Sequence, residues 1–294
     1  MSVEVVENVE AAPVRGGQRL RLLLHSRTGV AGLVLVVVLL LFALAQAVGL
    51  VGYDPIAQAA TVRLRGPSGA HWFGTDQFGR DVFSRVAAGV ANTARIALVA
   101  VAVATVVGTA LGVIAGFYLK GTDAVISGAT NILFAFPPLL LALSLASVME
   151  RNWFTVAVAI AIVYIPIFIR VARGPVMSLR EIEFVRAAVS TGQSRVAIML
   201  RHVLPNITSI IIVQVSLSLS WAVLTEASLS FLGLGTPPPA PSLGSMIYEA
   251  RTLVYVAPWT MIAPGVVVVL LVVGLNLLGD GLRDAFDPRK RGTS

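Results

Sequence analysis

Cysteine is absent from this 294-residue sequence, and lysine nearly so. Without cysteine the chain forms no disulfide and offers no thiolate to a metal, and the redox compartment leaves no trace in its composition. The two lysines, Lys120 and Lys290, are followed by Gly121 and Arg291. A phosphate-cradling loop closes on Gly-Lys-Ser or Gly-Lys-Thr, so the chain has none, and any ATPase that serves it is a separate chain. Histidine is scarce as well. His25, His71 and His202 lie far apart, and no His-Glu-x-x-His occurs, which argues against zinc hydrolysis. The third deficit is charge: 13% of residues are charged, against roughly 25% in average soluble chains.

What replaces charge is apolar sequence. Hydrophobic residues make up 56% and the mean hydropathy is +0.86. A soluble domain this poor in charge could not cover its surface with polar groups, whereas a bilayer needs no such cover. Apolar runs of about 20 residues, the length that spans a membrane, fall near 29–52, 96–118, 126–149, 153–169, 207–229 and 257–279. The expected fold class is therefore an all-α polytopic membrane protein with six transmembrane helices. The first run follows basic residues and contains Ala43-Leu44-Ala45, as a cleaved signal would. It continues through Val48, Leu50 and Val51, which favours a retained span. Pro137-Pro138 and Pro166 are expected to kink their helices, a tolerated event in a bilayer. Gly108, Gly112 and Gly116, four apart, are expected to let another helix approach closely.

Charge distribution orients the spans. With the N-terminus inside, fifteen of the 22 Lys and Arg residues fall in cytoplasmic segments, as the positive-inside rule requires. Both termini are then cytoplasmic, and the net charge of +7 is explained without nucleic acid. The expected organisation is a cytoplasmic segment 1–28, a first span 29–52, an external loop 53–95 with an amphipathic segment, a five-helix core 96–280 and a tail 281–294. The core contains a cytoplasmic loop 170–206, and a further external loop covers 230–256. The first four spans hold no Asp, Glu, Lys or Arg in their interiors, and Glu226 and Asp280 sit near the ends of the last two. Ion-coupled carriers usually place such groups at mid-membrane, so a secondary carrier working alone is disfavoured. Gly66-Pro67-Ser68-Gly69 matches the Gly-x-Ser-Gly of intramembrane serine proteases. It lies in an external loop, no span holds a histidine, and a turn is the better reading.

The cytoplasmic loop reads Phe184-Val185-Arg186-Ala187-Ala188-Val189-Ser190-Thr191-Gly192, with Leu204-Pro205 further on. The pattern predicts a short helix, a glycine turn and a second short helix. Phe184, Ala187, Ala188 and Thr191 share one face of the first. An apolar face on a cytoplasmic loop requires a cover, from this chain or a partner. Glu183, three residues before Arg186, is placed to pair with it.

This segment resembles the "EAA" loop of ABC importer permeases, with Arg186 where that family usually carries Glu. Two further stretches narrow the resemblance. One is Gly74-Thr75-Asp76 followed by Gly79-Arg80-Asp81-Val82. The other is Gly279-Asp280-Gly281-Leu282-Arg283-Asp284 followed by Asp287-Pro288-Arg289. Together with Glu226–Gly235 and Pro237-Pro238-Pro239, they are similar to the second permease subunit of dipeptide, oligopeptide and nickel importers, the OppC/DppC type, from about residue 20 to 291. The resemblance implies a type I ABC importer permease fold in a bacterial inner membrane and a heterodimeric pore built with a sister permease. It further implies two ATPase subunits, or one fused ATPase, carrying ATP and Mg, with no cofactor on this chain, and an extracytoplasmic binding protein that delivers peptide. Nickel or another small solute is the alternative cargo. The residues around Ala187-Ala188 would form the coupling helix that docks on the ATPase. Asp76, Arg80, Asp81 and Arg85 are expected to pin an interfacial helix outside. Asp280, Arg283, Asp284 and Asp287 are expected to form a self-paired cap on the last helix.

Overall fold

The computed structural model describes Leu24 and residues 26–286. Asp287, His25 and the basic residues at both ends lie outside the described residues. Nine α-helices account for most of the described chain, and no strand occurs among the described residues. They are α1 (Arg27–Ala47), α2 (Val82–Tyr118), α3 (Lys120–Phe134), α4 (Pro138–Val148), α5 (Trp153–Leu179), α6 (Glu183–Ser190), α7 (Arg195–Phe231), α8 (Leu243–Ala250) and α9 (Trp259–Phe286). Five of them, α1, α2, α5, α7 and α9, are long and apolar enough to cross a membrane, and α3 with α4 makes a sixth, broken span bent by 91°.

The expected spans exist, but their limits differ in five places, each with a local cause. The first helix ends at Ala47, before position 52, because Gly49 turns at φ +76° and the Leu50 amide bonds back to the Ala45 carbonyl. The second begins at Val82 and not near 96, because Asp81 caps it: its carboxylate accepts the Ser84 amide at 2.8 Å. At 37 residues α2 is roughly 55 Å long, well beyond a hydrocarbon core of about 30 Å. The run 126–149 is not one helix. Pro137 cannot donate a backbone bond and its ring restricts Phe136, so the chain breaks over 135–137 and restarts with Pro138 in the first turn of α4. Pro166 and Pro175, by contrast, lie inside α5 without ending it. Residues 170–206 are mostly helical, since α5 runs to Leu179 and α7 starts at Arg195. Only 180–182 and 191–194 connect them to α6. The last span continues to Phe286, through the start of the expected tail.

Packing centres on α2 and α5. A Cβ added at Gly108 would lie 2.5 Å from the Phe168 Cβ, one at Gly112 2.5 Å from the Ile169 carbonyl, and one at Gly116 2.8 Å from the Arg173 carbonyl. The three glycines are the groove into which α5 fits. α1 lies on α9, where Gly32 meets the backbone at Leu277 and Leu278. The main apolar core joins α2, α5, α7, α8 and α9. A smaller one gathers Val113, Ala172, Val176, Val185, Ala188, Ile198 and Val203 around α6. Much apolar surface stays exposed, including Val34, Leu41, Val106, Ile132 and Ile262, as expected where lipid or another membrane chain supplies the contact.

Candidate coupling site and external cap

The α6 helix opens with Glu183 in its first turn, where a negative charge complements the unpaired amides. It closes on a glycine. The Thr191 amide donates to the Ala187 carbonyl at 2.9 Å and the Gln193 amide to the Ala188 carbonyl at 3.2 Å, with Gly192 left-handed at φ +76°. Val185 and Ala188 are buried against the smaller core. Phe184, Arg186, Ala187, Val189 and Thr191 are exposed. The expected shared face of Phe184, Ala187, Ala188 and Thr191 is therefore split: α5 and α7 fold back on the Val185–Ala188 side and leave Phe184, Ala187 and Thr191 outward. Among the described residues no ion pair joins Glu183 to Arg186, so that expected local pair is absent. Arg186 and Val189 instead line a cavity of about 410 Å³ with Phe117, Tyr118, Arg180 and Arg195.

The second short helix expected after the glycine turn is the beginning of α7. Ser194 caps it, accepting the Ala197 amide at 3.3 Å. Pro205 lies in the helix and brings no amide, and residues Met199–Val203 just before it form a π-turn, with the Leu204 amide reaching back to the Met199 carbonyl. The Leu204-Pro205 pair thus marks a bulge within a continuous 37-residue helix, not the end of a loop. His202 reaches Gln193 at 3.2 Å.

On the opposite end of the span, the motif from Gly74 to Asp81 is not helical and forms no interfacial helix. It is a tight turn that caps α2. Asp76 Oδ1 accepts the amides of Phe78 and Arg80 at 2.8 and 3.0 Å, around Gly79 at φ +74°. Gly74, at φ +71°, sits against Trp259, whose indole N–H donates to the Thr75 carbonyl at 3.1 Å. Arg80 donates to Asp76 Oδ2 and to Glu249 Oε2, both at 2.6 Å, and Arg85 reaches the same Glu249 oxygen at 3.2 Å. Two buried guanidiniums are thereby matched by two carboxylates. Asp81 caps α2 and holds His71 Nδ1 at 2.9 Å. Gly66–Gly69 is a turn: the Ser68 hydroxyl accepts the His71 amide and the Ser68 amide donates to the His71 carbonyl. Among the described residues, no group of three or more His, Asp and Glu side chains is placed to hold a metal.

Glu249 escaped the sequence reading because its partners lie more than 160 residues away, beyond any local pattern. Two other placements were also missed. Glu226 is fully buried and accepts the hydroxyls of Thr93 and Ser230 at 2.8 and 2.6 Å, which locks α7 to α2. Arg173 on α5 grips Asp123 on α3 with two bonds, at 2.6 and 2.7 Å. At the C-terminal motif, Gly279 is buried and meets Ser216 on α7. Asp280 and Arg283 are exposed, and among the described residues no ion pair joins these two; the expected cap also involves Asp287, which lies outside the described residues. Asp284 is likewise exposed.

A bundle of long apolar helices, one of them broken, with a short helix slung between two spans and presenting an apolar face, is the architecture of a multi-pass transport permease. The comparisons agree. The model for the binding-protein-dependent transport system inner membrane component matches residues 108–292. The chain is 44% identical over 229 residues to the dipeptide transport system permease protein DppC of Alkalihalophilus pseudofirmus, covering 78% of this chain and 75% of that one. It is 42% identical over 224 residues to the glutathione transport system permease protein GsiD of Pectobacterium atrosepticum, covering 76% and 74%. It is 39% identical over 257 residues to the probable D,D-dipeptide transport system permease protein DdpC of Escherichia coli, covering 87% and 86%. Among solved structures, a chain of the inward-facing MetNI methionine ABC transporter superposes with a TM-score of 0.55 at 20% identity, covering 67% of this chain and 94% of that one; at that identity the likeness concerns the fold. The chain belongs to the binding-protein-dependent transport system inner membrane component family, the permease subunits of ABC importers.

Proposed function

We propose that this permease carries di- or oligopeptides into the cytoplasm as one half of a heterodimeric pore. The observation that carries the reading is α6. Its inner face is satisfied by this chain, and its outer face, with Phe184, Ala187 and Thr191 exposed, has only a partner to cover it. The partner is an ATPase pair or a single fused ATPase, which brings ATP and Mg; this chain binds neither. A sister permease completes the pore, and an extracytoplasmic binding protein delivers cargo at the end capped by Asp76, Arg80 and Glu249. Both termini are placed in the cytoplasm, a reading that the bias of Lys and Arg toward those segments supports. ATP binding closes the ATPases, α6 moves with them, and the spans shift from inward- to outward-open; hydrolysis resets the pair. The permease is thus a two-state element biased by both partners.

Peptide is favoured as cargo by relatives named for dipeptide and glutathione transport. The test is uptake by a strain lacking only this chain. Loss of labelled di- and tripeptide uptake, with recovery on re-expression, is the expected outcome. Unchanged peptide uptake with loss of nickel uptake would assign the cargo to the metal instead.

A further inference from the structure

Within the broken span α4 is packed, with Ala142 and Ala146 buried, while α3 is the less anchored half. In α3 only Thr130 is buried, and Gly121 and Gly128 face open space. Two side-chain contacts join α3 to α5. Near its start, Asp123 receives Nε and Nη2 of Arg173 at 2.6 and 2.7 Å, with the Ser127 hydroxyl also donating to the carboxylate at 2.8 Å. At its end, Arg170 stacks over the Phe134 ring at 4.2 Å. A fork of two parallel bonds fixes direction as well as distance.

The joint between α2 and α3 is strained. Leu119 and Lys120 both take left-handed φ values, 53° and 51°, which cost non-glycine residues of order 1–3 kcal/mol each. Arg180, just past the end of α5, donates to the Phe117 carbonyl at 3.0 Å, two residues before that joint. Arg173 in α5 and Arg180 at its C-terminal cap lie seven residues apart and straddle it.

Nothing slack separates α5 from α6. The amides of Arg180, Glu181 and Ile182 bond back to Val176, Ser178 and Leu179, and the amides of Val185 and Arg186 bond back to Ile182. A displacement of α6 is therefore delivered to the end of α5.

We infer that the Arg173–Asp123 pair is the strut through which movement of α6 reaches the broken span, swinging α3 and α4 about the strained Leu119–Lys120 joint. The inference rests on the reading of α6 as the coupling helix. Arg173 and Asp123 are positioning residues: they touch neither cargo nor nucleotide. The strut ties the start of α3 to α5, whereas at that end the backbone ties it to α2.

Because the chain has no cysteine, introduced cysteines label it selectively in a reconstituted complex with cysteine-free partners. Gly128→Cys on α3, Gly174→Cys on α5 and Val106→Cys on α2 are open or exposed positions. Nitroxide distances are measured without nucleotide and with ATP trapped. The expected result is an unchanged 128–174 distance and a shifted 128–106 distance. In Arg173→Gln the pattern reverses, and cargo imported per ATP hydrolysed falls roughly tenfold, within the usual range of coupling energies. The charge exchange Arg173→Asp with Asp123→Arg restores part of it. A 128–106 distance that stays fixed in the wild type while 128–174 changes, or three rigid distances in a complex that transports, overturns the strut. These outcomes leave the importer reading intact. A wild-type complex that fails to transport on ATP overturns that reading first.

Discussion

A methyl group at Gly112 would stand 2.5 Å from the Ile169 carbonyl and 2.8 Å from the Ala172 Cβ. Neither neighbour is the free end of a side chain, so the helices must part to admit it. Gly112→Val is expected to destabilise the folded permease by about 1–3 kcal/mol, read as a lower melting temperature in detergent; an unchanged melting point would show that α2 and α5 are not held at this distance. At the cap of α2, Glu249 accepts from both Arg80 and Arg85, whose side chains are 4% and 2% exposed. Glu249→Gln leaves two buried cations facing one carboxylate, at a cost on the order of 3 kcal/mol. Loss of cap structure, measured as proteolysis within 53–81, checks it. The role of the three glycines was legible from their spacing alone. The Arg80–Glu249 contact was not, because hydrogen bonds across such sequence distances leave no periodic mark.

At the scale of elements, hydropathy locates a span by its apolar middle and is silent about its capped, polar ends. Positions 82–95 hold Arg85, Asn92 and Arg95 and so look like loop, yet Asp81 starts a helix there and buried partners take up the polar groups. The break in the third span was foreshadowed by Pro137-Pro138, although its 91° bend was not. The α6 helix was legible as a helix ended by Gly192, but which of its sides this chain covers was not: burial depends on where α5 and α7 return, which no eight-residue pattern contains. Gly192 has open space around its missing Cβ and φ +76°, so its constraint is purely backbone. Proline, locked near −65°, cannot adopt it. Gly192→Pro is expected to abolish transport while leaving the spans inserted, and wild-type uptake by that variant would contradict the turn's role.

For the whole molecule, composition set the class: a chain poor in charge and rich in long apolar runs is a multi-pass membrane protein. The fold adds how the parts divide. A closely packed pair, α2 and α5, carries the cap at one end and α6 at the other, and α3 of the broken span is tied to α5 by the Arg173–Asp123 pair. On the proposed reading, energy enters through α6, whose exposed residues include the uncharged Ala187. The most direct measurement is ATP-driven peptide uptake by the reconstituted complex carrying Ala187→Glu, alongside the wild type, at matched levels of inserted permease. The account predicts that uptake is lost, together with co-purification of the ATPase, because a charge is forced into the docked face. Uptake at the wild-type level in Ala187→Glu would contradict α6 as the place where the motor attaches.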